Sequence, residues 1–256
     1  MAPDPERRQW MAALASAMLT PIAMPKERDV DGPEAFTLYT FGDSILDCGH
    51  YNPHGLHPGS LLLRNDDRLF PDFKGRDLLS AGPARLEHRA RDGATVADLA
   101  GQVRAVLPGG PSAALLTIGG NDLLRGLAAD RGPGIRRFAD SLNAFLKALP
   151  IRPVLVGTVY DPTFNDDSRN FLGTDARLAR ANHRRVNETM AELASRYGHL
   201  VDLHAHFLTG DPGWYTRTIE PSLRGASEVR RAFWPRLVSA ATALPKPGTA
   251  GARPGQ

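Results

Sequence analysis

Ser44 lies in "TFGDSILDCGH" (residues 40–50), a glycine-opened turn directly after a short apolar run. A serine held there is a nucleophile if a neighbouring group takes its proton. Two other turns offer hydrogen-bond donors. "RDGAT" (91–95) puts Gly93, with no side chain to block approach, after a weaker run, and "IGGND" (118–122) carries the amide of Asn121. Acyl transfer needs a nucleophile and donors aimed at the oxygen that becomes negative. Ser44 with its own N–H, the Gly93 N–H and the Asn121 amide meet both needs if the fold gathers the three turns. Taken singly, each has a plainer role: a serine after a strand is commonly a helix cap, and Gly-Gly-Asn is commonly only a turn.

The elements that must position these residues read as strand, loop, helix, repeated. "FTLYTF" (36–41), "AALLTI" (113–118), "PVLVGTVY" (153–160) and "HLVDL" (199–203) are apolar, β-branched runs, each cut off by a turn signal, and "ARLEHRA" (84–90) is a weaker, more charged one. Near-continuous apolar strands suit a parallel sheet covered on both faces. Helical spacing links Val96, Leu99, Val103 and Val106; Ile135, Phe138, Leu142, Phe145 and Leu149; and Val186, Met190, Leu193 and Tyr197. A last helix is expected over 226–237, its end disturbed by Pro235. The expected architecture is a three-layer α/β/α sandwich with a mostly parallel sheet, in which ligands bind at the carboxyl ends of the strands. Ser44 and Asn121 fall just past two such ends. No GxGxxG follows a strand and no GxxxxGK[ST] is present, so the usual nucleotide loops are missing. Residues 49–73 are long for a strand-to-helix connection and read as a lid or binding surface. They hold His50, His54 and His57, but Pro53, Gly55 and Pro58 argue against the helix that would align those rings on a metal, so none is expected.

Composition narrows the class. The 256 residues are 42% hydrophobic, enough for one substantial core, and the net charge of +3 is too small to imply a polyanion partner. The arginines are scattered among acids with no reading motif or stacking aromatics, against nucleic-acid binding. Cys48 is the only cysteine, which excludes an internal disulfide and a thiolate metal cluster. No run approaches the length of about 18 apolar residues that a spanning helix needs. Residues 1–32 read either as a helical extension packed on the domain or as a twin-arginine export signal opened by Arg7-Arg8. Asp4, Glu6 and the lack of a clean small-x-small cleavage site favour the extension and a cytoplasmic location over a periplasmic or secreted one. Residues 33–244 form the expected catalytic domain, and 245–256, "PKPGTAGARPGQ", a disordered tail. The oligomeric state stays open.

These residues carry a resemblance. "FGDSILDCG" resembles the first block of the GDSL or SGNH hydrolase family, with Ser44 in the nucleophile position; "RDGAT" is similar to the block of the oxyanion-hole glycine, and "IGGND" to that of the family's asparagine. The likeness runs over about 33–240. It implies a flavodoxin-like sandwich, hydrolysis of esters, thioesters or other acyl groups, a small-molecule acyl substrate and no cofactor. The last block departs from the pattern. Where the family has Asp-x-x-His, this chain has "RTIEPSLRG", which aligns Glu220 with the histidine and Arg217 with the aspartate.

Both the usual base and its orienting acid are thus replaced. Glutamate is about two pKa units less basic than imidazole, and Arg217 at three residues' distance would hold it charged, while desolvation would restore basicity. The alternatives are a structural Arg217–Glu220 pair, or a histidine arriving from elsewhere: His204 and His206 in "VDLHAHF", or His50 and His54 near Ser44. Asp43, Asp47 and Asn52 near the nucleophile, with Tyr160, Trp214 and Arg217, are expected to line a rim that suits a polar or carbohydrate-like acyl substrate. The expected function is ester hydrolysis by Ser44, with Gly93 and Asn121 in the oxyanion hole and Glu220 as base. The other reading is a binding protein for a polar or anionic ligand that kept the pocket and lost the chemistry.

Overall fold

Five strands pair in parallel in one sheet of order β2-β1-β3-β4-β5: β1 (Phe36–Gly42), β2 (Ala84–His88), β3 (Ser112–Thr117), β4 (Val154–Gly157) and β5 (Gly198–Val201). The computed structural model describes residues 35–104, 106 and 108–243, so the expectations for 1–32 and 245–256 lie outside the described residues. Helices α1 (Pro58–Leu63), α2 (Leu78–Ala81), α3 (Leu99–Gln102), α4 (Gly120–Leu124), α5 (Gly134–Ala148), α6 (Ala176–Tyr197), α7 (Leu203–Leu208) and α8 (Leu223–Ala243) connect or follow the strands. A two-residue hairpin, β6 (Tyr215–Thr216) with β7 (Glu220–Pro221), precedes α8.

Alternation along the strands builds a core on each face. Tyr39, Phe41, Ala114 and Leu116 pack with Phe138, Leu142 and Met190 of α5 and α6. Leu38, Ala113, Leu115 and Leu155 pack with Phe207 of α7 and Val229 and Phe233 of α8. Both faces are covered, which is why the inner strands read as unbroken apolar runs. The charged β2 is an edge strand, where outward polar side chains meet water. The sandwich is the three-layer α/β/α fold, with the chain reversal between β1 and β3 that places a crevice at their carboxyl ends.

Three expectations are corrected. The stripe over 96–106 is not one helix: Asp98 accepts from Thr95 N and Oγ1 at 2.8 Å, making a short 3₁₀ turn, and only Leu99–Gln102 is α-helical. The 49–73 segment is not one unbroken connection. It contains α1, for which Pro58 is a favourable first residue because the N–H it lacks would have had no helical partner. Buried Leu61 of this helix meets Cys48 and Ala226. Helix α8 also runs through Pro235 to Ala243, because Phe233, Leu237 and Ala240 bury their side chains and outweigh one lost backbone bond. Among the described residues, no three His, Cys, Asp or Glu side chains are grouped to hold a metal, and no helix is long and apolar enough to cross a membrane.

Candidate active site

The nucleophile turn hangs from Gly42. Its φ of +119° belongs to the region that disfavours a side chain, and a Cβ there would stand 1.7 Å from the Thr117 carbonyl oxygen. Buried Gln102 then clamps the same residue from both sides: Gly42 N donates to Oε1 at 2.7 Å, and Nε2 donates to Gly42 O at 2.8 Å. Asp43 follows, 1% exposed, its Oδ1 accepting from Thr117 Oγ1 at 2.8 Å and Ile45 N at 3.2 Å. Burial pushes its carboxyl up to about 7 despite those two bonds. The Asp43 carbonyl accepts from both Leu46 N and Asp47 N at 3.1 Å, which curls the chain and leaves Ser44 at the crevice. Ser44 therefore sits in a tight turn rather than capping a helix.

The two donor turns are tied to each other. Gly93 has φ +75°, and its carbonyl accepts from Arg125 Nη2 at 2.9 Å. Asn121 Nδ2 donates to Ala94 O at 3.0 Å, and Asp122 accepts from Val96 N at 3.1 Å. The first turn of α4 thus holds residues 93–96 in place, and one N–H of the Asn121 amide stays available. Neither Ser44 N nor Gly93 N has an acceptor among the described residues.

Glu220 is delivered by the β6–β7 hairpin. The reversal passes through Arg217 (φ 46°) and Thr218 (φ 75°), two side-chain-bearing residues in left-handed backbone, each costing about 1–2 kcal/mol. Tyr160 Oη pins the turn by donating to Ile219 O at 2.7 Å. The Glu220 carboxyl, 9% exposed, lies beside the Ser44 hydroxyl. Burial raises its pKa and Asp92 adds to this, while the Ser44 hydroxyl, His50 and Arg217 act to lower it. The approach to Ser44 falls short of a fully formed hydrogen bond, and Glu220 Oε2 is buried without a partner. No ion pair joins Arg217 to Glu220; the Arg217 guanidinium carbon instead lies 4.9 Å from the centre of the Tyr51 ring.

Several residues expected at the rim serve elsewhere. Asp47 accepts from Asp92 N at 2.9 Å and contacts His88 at 3.2 Å. Asn52 closes its own loop by donating to Leu56 O at 2.8 Å. Trp214 is buried against Phe207, ring centres 5.2 Å apart. None of these three, nor Arg217, lines the crevice next to Ser44, whereas Asp43 and Tyr160 do. The histidines are also otherwise engaged: His206 with Glu228 at 3.0 Å, His50 with Asp92 at 3.1 Å, and the His204 ring 5.1 Å from that of His183. His54 has only a backbone bond, to Asn52. None hydrogen-bonds the Ser44 hydroxyl.

What the sequence did not disclose is the character of the crevice. Beside Ser44 and Asn121 it is walled by Leu123, Leu124, Val159, Phe171, Leu172 and Ile219. Leu124 (42% exposed) and Phe171 (40%) are the large exposed hydrophobics of the described residues, and both stand on this one crevice. Arg180 of α6 ties down the facing loop through Asp161 (3.2 Å), Asn165 (2.8 Å) and Asp167. A leucine pair directly after "GGND" was the available signal.

Comparison with known proteins agrees with this fold. The fold matches LAE5, an alpha/beta hydrolase enzyme from the metagenome of Lake Arreo, Spain, at 24% identity and TM-score 0.56, over 83% of this chain and 99% of that one. It also matches Axe2, an acetylxylan esterase from Geobacillus stearothermophilus, at 19% identity and TM-score 0.56, over 84% of this chain and 98% of that one. No curated protein sequence matches. The family model of the GDSL-like lipase/acylhydrolases matches residues 40–226, a span that runs from the Ser44 turn through Asn121 and Glu220 to the start of α8, and the chain belongs to that family.

Proposed function

We propose that this protein hydrolyses small acyl esters through a Ser44 acyl-enzyme, with Glu220 as the general base. The observation that carries the reading is the buried Glu220 carboxyl beside the hydroxyl of Ser44, a residue that lines the apolar crevice. Ser44 Oγ attacks the ester carbonyl as its proton passes to Glu220. The carbonyl oxygen, now negative, is met by Ser44 N–H, Gly93 N–H and the free Asn121 N–H. The tetrahedral species collapses, Glu220 returns the proton to the departing alkoxide, and the acyl group stays on Ser44. Water then attacks the acyl-enzyme by the same route, giving the acid and free serine. Burial supports Glu220 in this role, because a desolvated carboxylate binds a proton more tightly than one in water.

The acyl half of the substrate is apolar, as the leucine and phenylalanine walls favour. The expectation of a polar or carbohydrate-like partner is kept only for the alcohol half. Each methylene buried in the crevice adds about 0.8 kcal/mol, close to fourfold in kcat/KM if fully realised in the transition state. The test is a series of 4-nitrophenyl esters from acetate to octanoate, with wild type and Ser44→Ala. Turnover that depends on Ser44 and rises from acetate toward the middle of the series is expected. Equal background rates in both proteins, together with measurable binding of the esters, would make the protein a binding module instead.

A further inference from the structure

Arg217 stands at the position where the family pattern has an acid, and a cation at that point would be expected to pair with Glu220 and quench it. It does not pair. Its guanidinium carbon lies 4.9 Å from the centre of the Tyr51 ring, and among the described residues no salt bridge reaches the glutamate. The ring itself is fixed on its far side. Tyr51 Oη donates to Asp92 Oδ2 at 2.6 Å, His50 contacts the same oxygen at 3.1 Å, and the His50 and Tyr51 rings are 3.9 Å apart. Asp92 is anchored in turn, its N–H donating to Asp47 Oδ2 at 2.9 Å. These contacts connect the loop after the nucleophile, the oxyanion turn and the hairpin.

We propose that Tyr51 is a positioning residue for the reaction: its ring, steadied by Asp92 and His50, seats the Arg217 guanidinium away from Glu220 and leaves that carboxylate free to take the serine proton. The inference rests on Glu220 being the base. The cation–π seat is worth about 0.5–1 kcal/mol at an exposed site, small but enough to bias a flexible side chain. The strained backbone at Arg217 and Thr218 works in the same direction by fixing where the arginine stem leaves the hairpin. The ionisable groups around Glu220 are Asp43 and Cys48 from the nucleophile loop, His50 and Tyr51 from the turn after it, Asp92 from the oxyanion turn, Tyr160 from the loop after β4, and Arg217. Of these, Arg217 is the permanent cation, so its position has the largest leverage on the proton affinity of the base. A guanidinium bound directly to Glu220 would lower that affinity and occupy the oxygens that must face Ser44.

The test is a double-mutant cycle read with 4-nitrophenyl butyrate over pH 4–9. Tyr51→Leu, which releases the arginine, is expected to lower kcat/KM about two- to fivefold and to move the acid limb of the profile to lower pH. Adding Arg217→Gln to Tyr51→Leu is expected to bring kcat/KM back to the value of Arg217→Gln alone and return the acid limb. A ring that merely packed would show no such rescue. A double variant as slow as Tyr51→Leu, beside an active Arg217→Gln, overturns the proposal. Should Tyr51→Leu fail to fold, as circular dichroism would show, Tyr51→Phe decides. It keeps the ring under the guanidinium and loses only the bond to Asp92, so it should stay within about threefold of wild type, and a tenfold loss would overturn the idea. Glu220→Gln in the same assay separates the two claims: if it stays active the general-base reading falls, whereas an inactive Glu220→Gln with a failed rescue removes only the role of Tyr51.

Discussion

Asp43→Asn should make the protein more stable, and increasingly so as pH rises. Asp43 is 1% exposed, and burial holds its carboxyl at about 7 instead of 3.8. Between those values the unfolded chain has released the proton and the native state still holds it. Stability is therefore complete below pH 4 and is lost as pH climbs toward 7, at about 1.4 kcal/mol per pH unit. The full interval corresponds to about 4 kcal/mol, an upper figure because a relaxing native state recovers part of it. Asparagine is nearly isosteric, does not titrate, and keeps the Oδ1 acceptor for Thr117 Oγ1 and Ile45 N. The assay is urea denaturation of both proteins at pH 4, 6 and 8. Glu220 also titrates with a raised pKa and is coupled to Asp43, but that coupling is a smaller cause of the Asp43 shift than burial, so burial dominates the difference. The stability gain of the variant should be smallest at pH 4 and reach about 2–4 kcal/mol at pH 8. A difference that does not change with pH would refute the assignment of a protonated, buried Asp43 behind the nucleophile.

Gly42→Ala should abolish the native fold or cost at least about 3 kcal/mol, since its methyl group would fall 1.7 Å from Thr117 O in left-handed backbone; a urea midpoint near that of wild type would contradict this. Gln102→Leu strands the N–H of Gly42, whose carbonyl keeps its bond from Arg91 N, so a loss of about 1–3 kcal/mol in urea is expected, with a fall in kcat because Ser44 hangs two residues on. His204→Gln and His206→Gln should each keep ester turnover within about threefold of wild type, because no proton transfer passes through either ring; a hundredfold loss in either would point to a relocated histidine base.

The sheet was readable because its strands are buried on both faces, which leaves runs such as "AALLTI" with no polar interruption. The 96–106 stripe misled because periodicity reports a buried face, not the hydrogen bonds: the Asp98 carboxylate bonds Thr95, and a short 3₁₀ turn takes the place of an extended helix. Pro58 was read correctly as barring a helix through His50, His54 and His57, but not as the opening residue of the helix that follows them. At the site, the spacing of "GDS", "DG" and "GGND" located the turns because glycines with left-handed backbone are hard to replace. The expected polar rim failed at Asp47, Asn52 and Trp214, whose partners lie within their own loops, in the next turn or in the core. No local pattern tells an aspartate that anchors a turn from one that meets a ligand. The apolar wall could not be read either, since Leu124, Phe171 and Ile219 come from three distant segments joined only by folding.

The central claim is that a glutamate does the work of the missing histidine. The most direct measurement is kcat of Glu220→Gln on 4-nitrophenyl butyrate at pH 7, beside wild type and Ser44→Ala. General-base assistance is worth about 10² to 10⁴ in rate, so a fall of at least about 100-fold is expected, with the fold retained because the change is nearly isosteric. Turnover within twofold of wild type, with Ser44→Ala inactive, would show that the serine proton goes elsewhere.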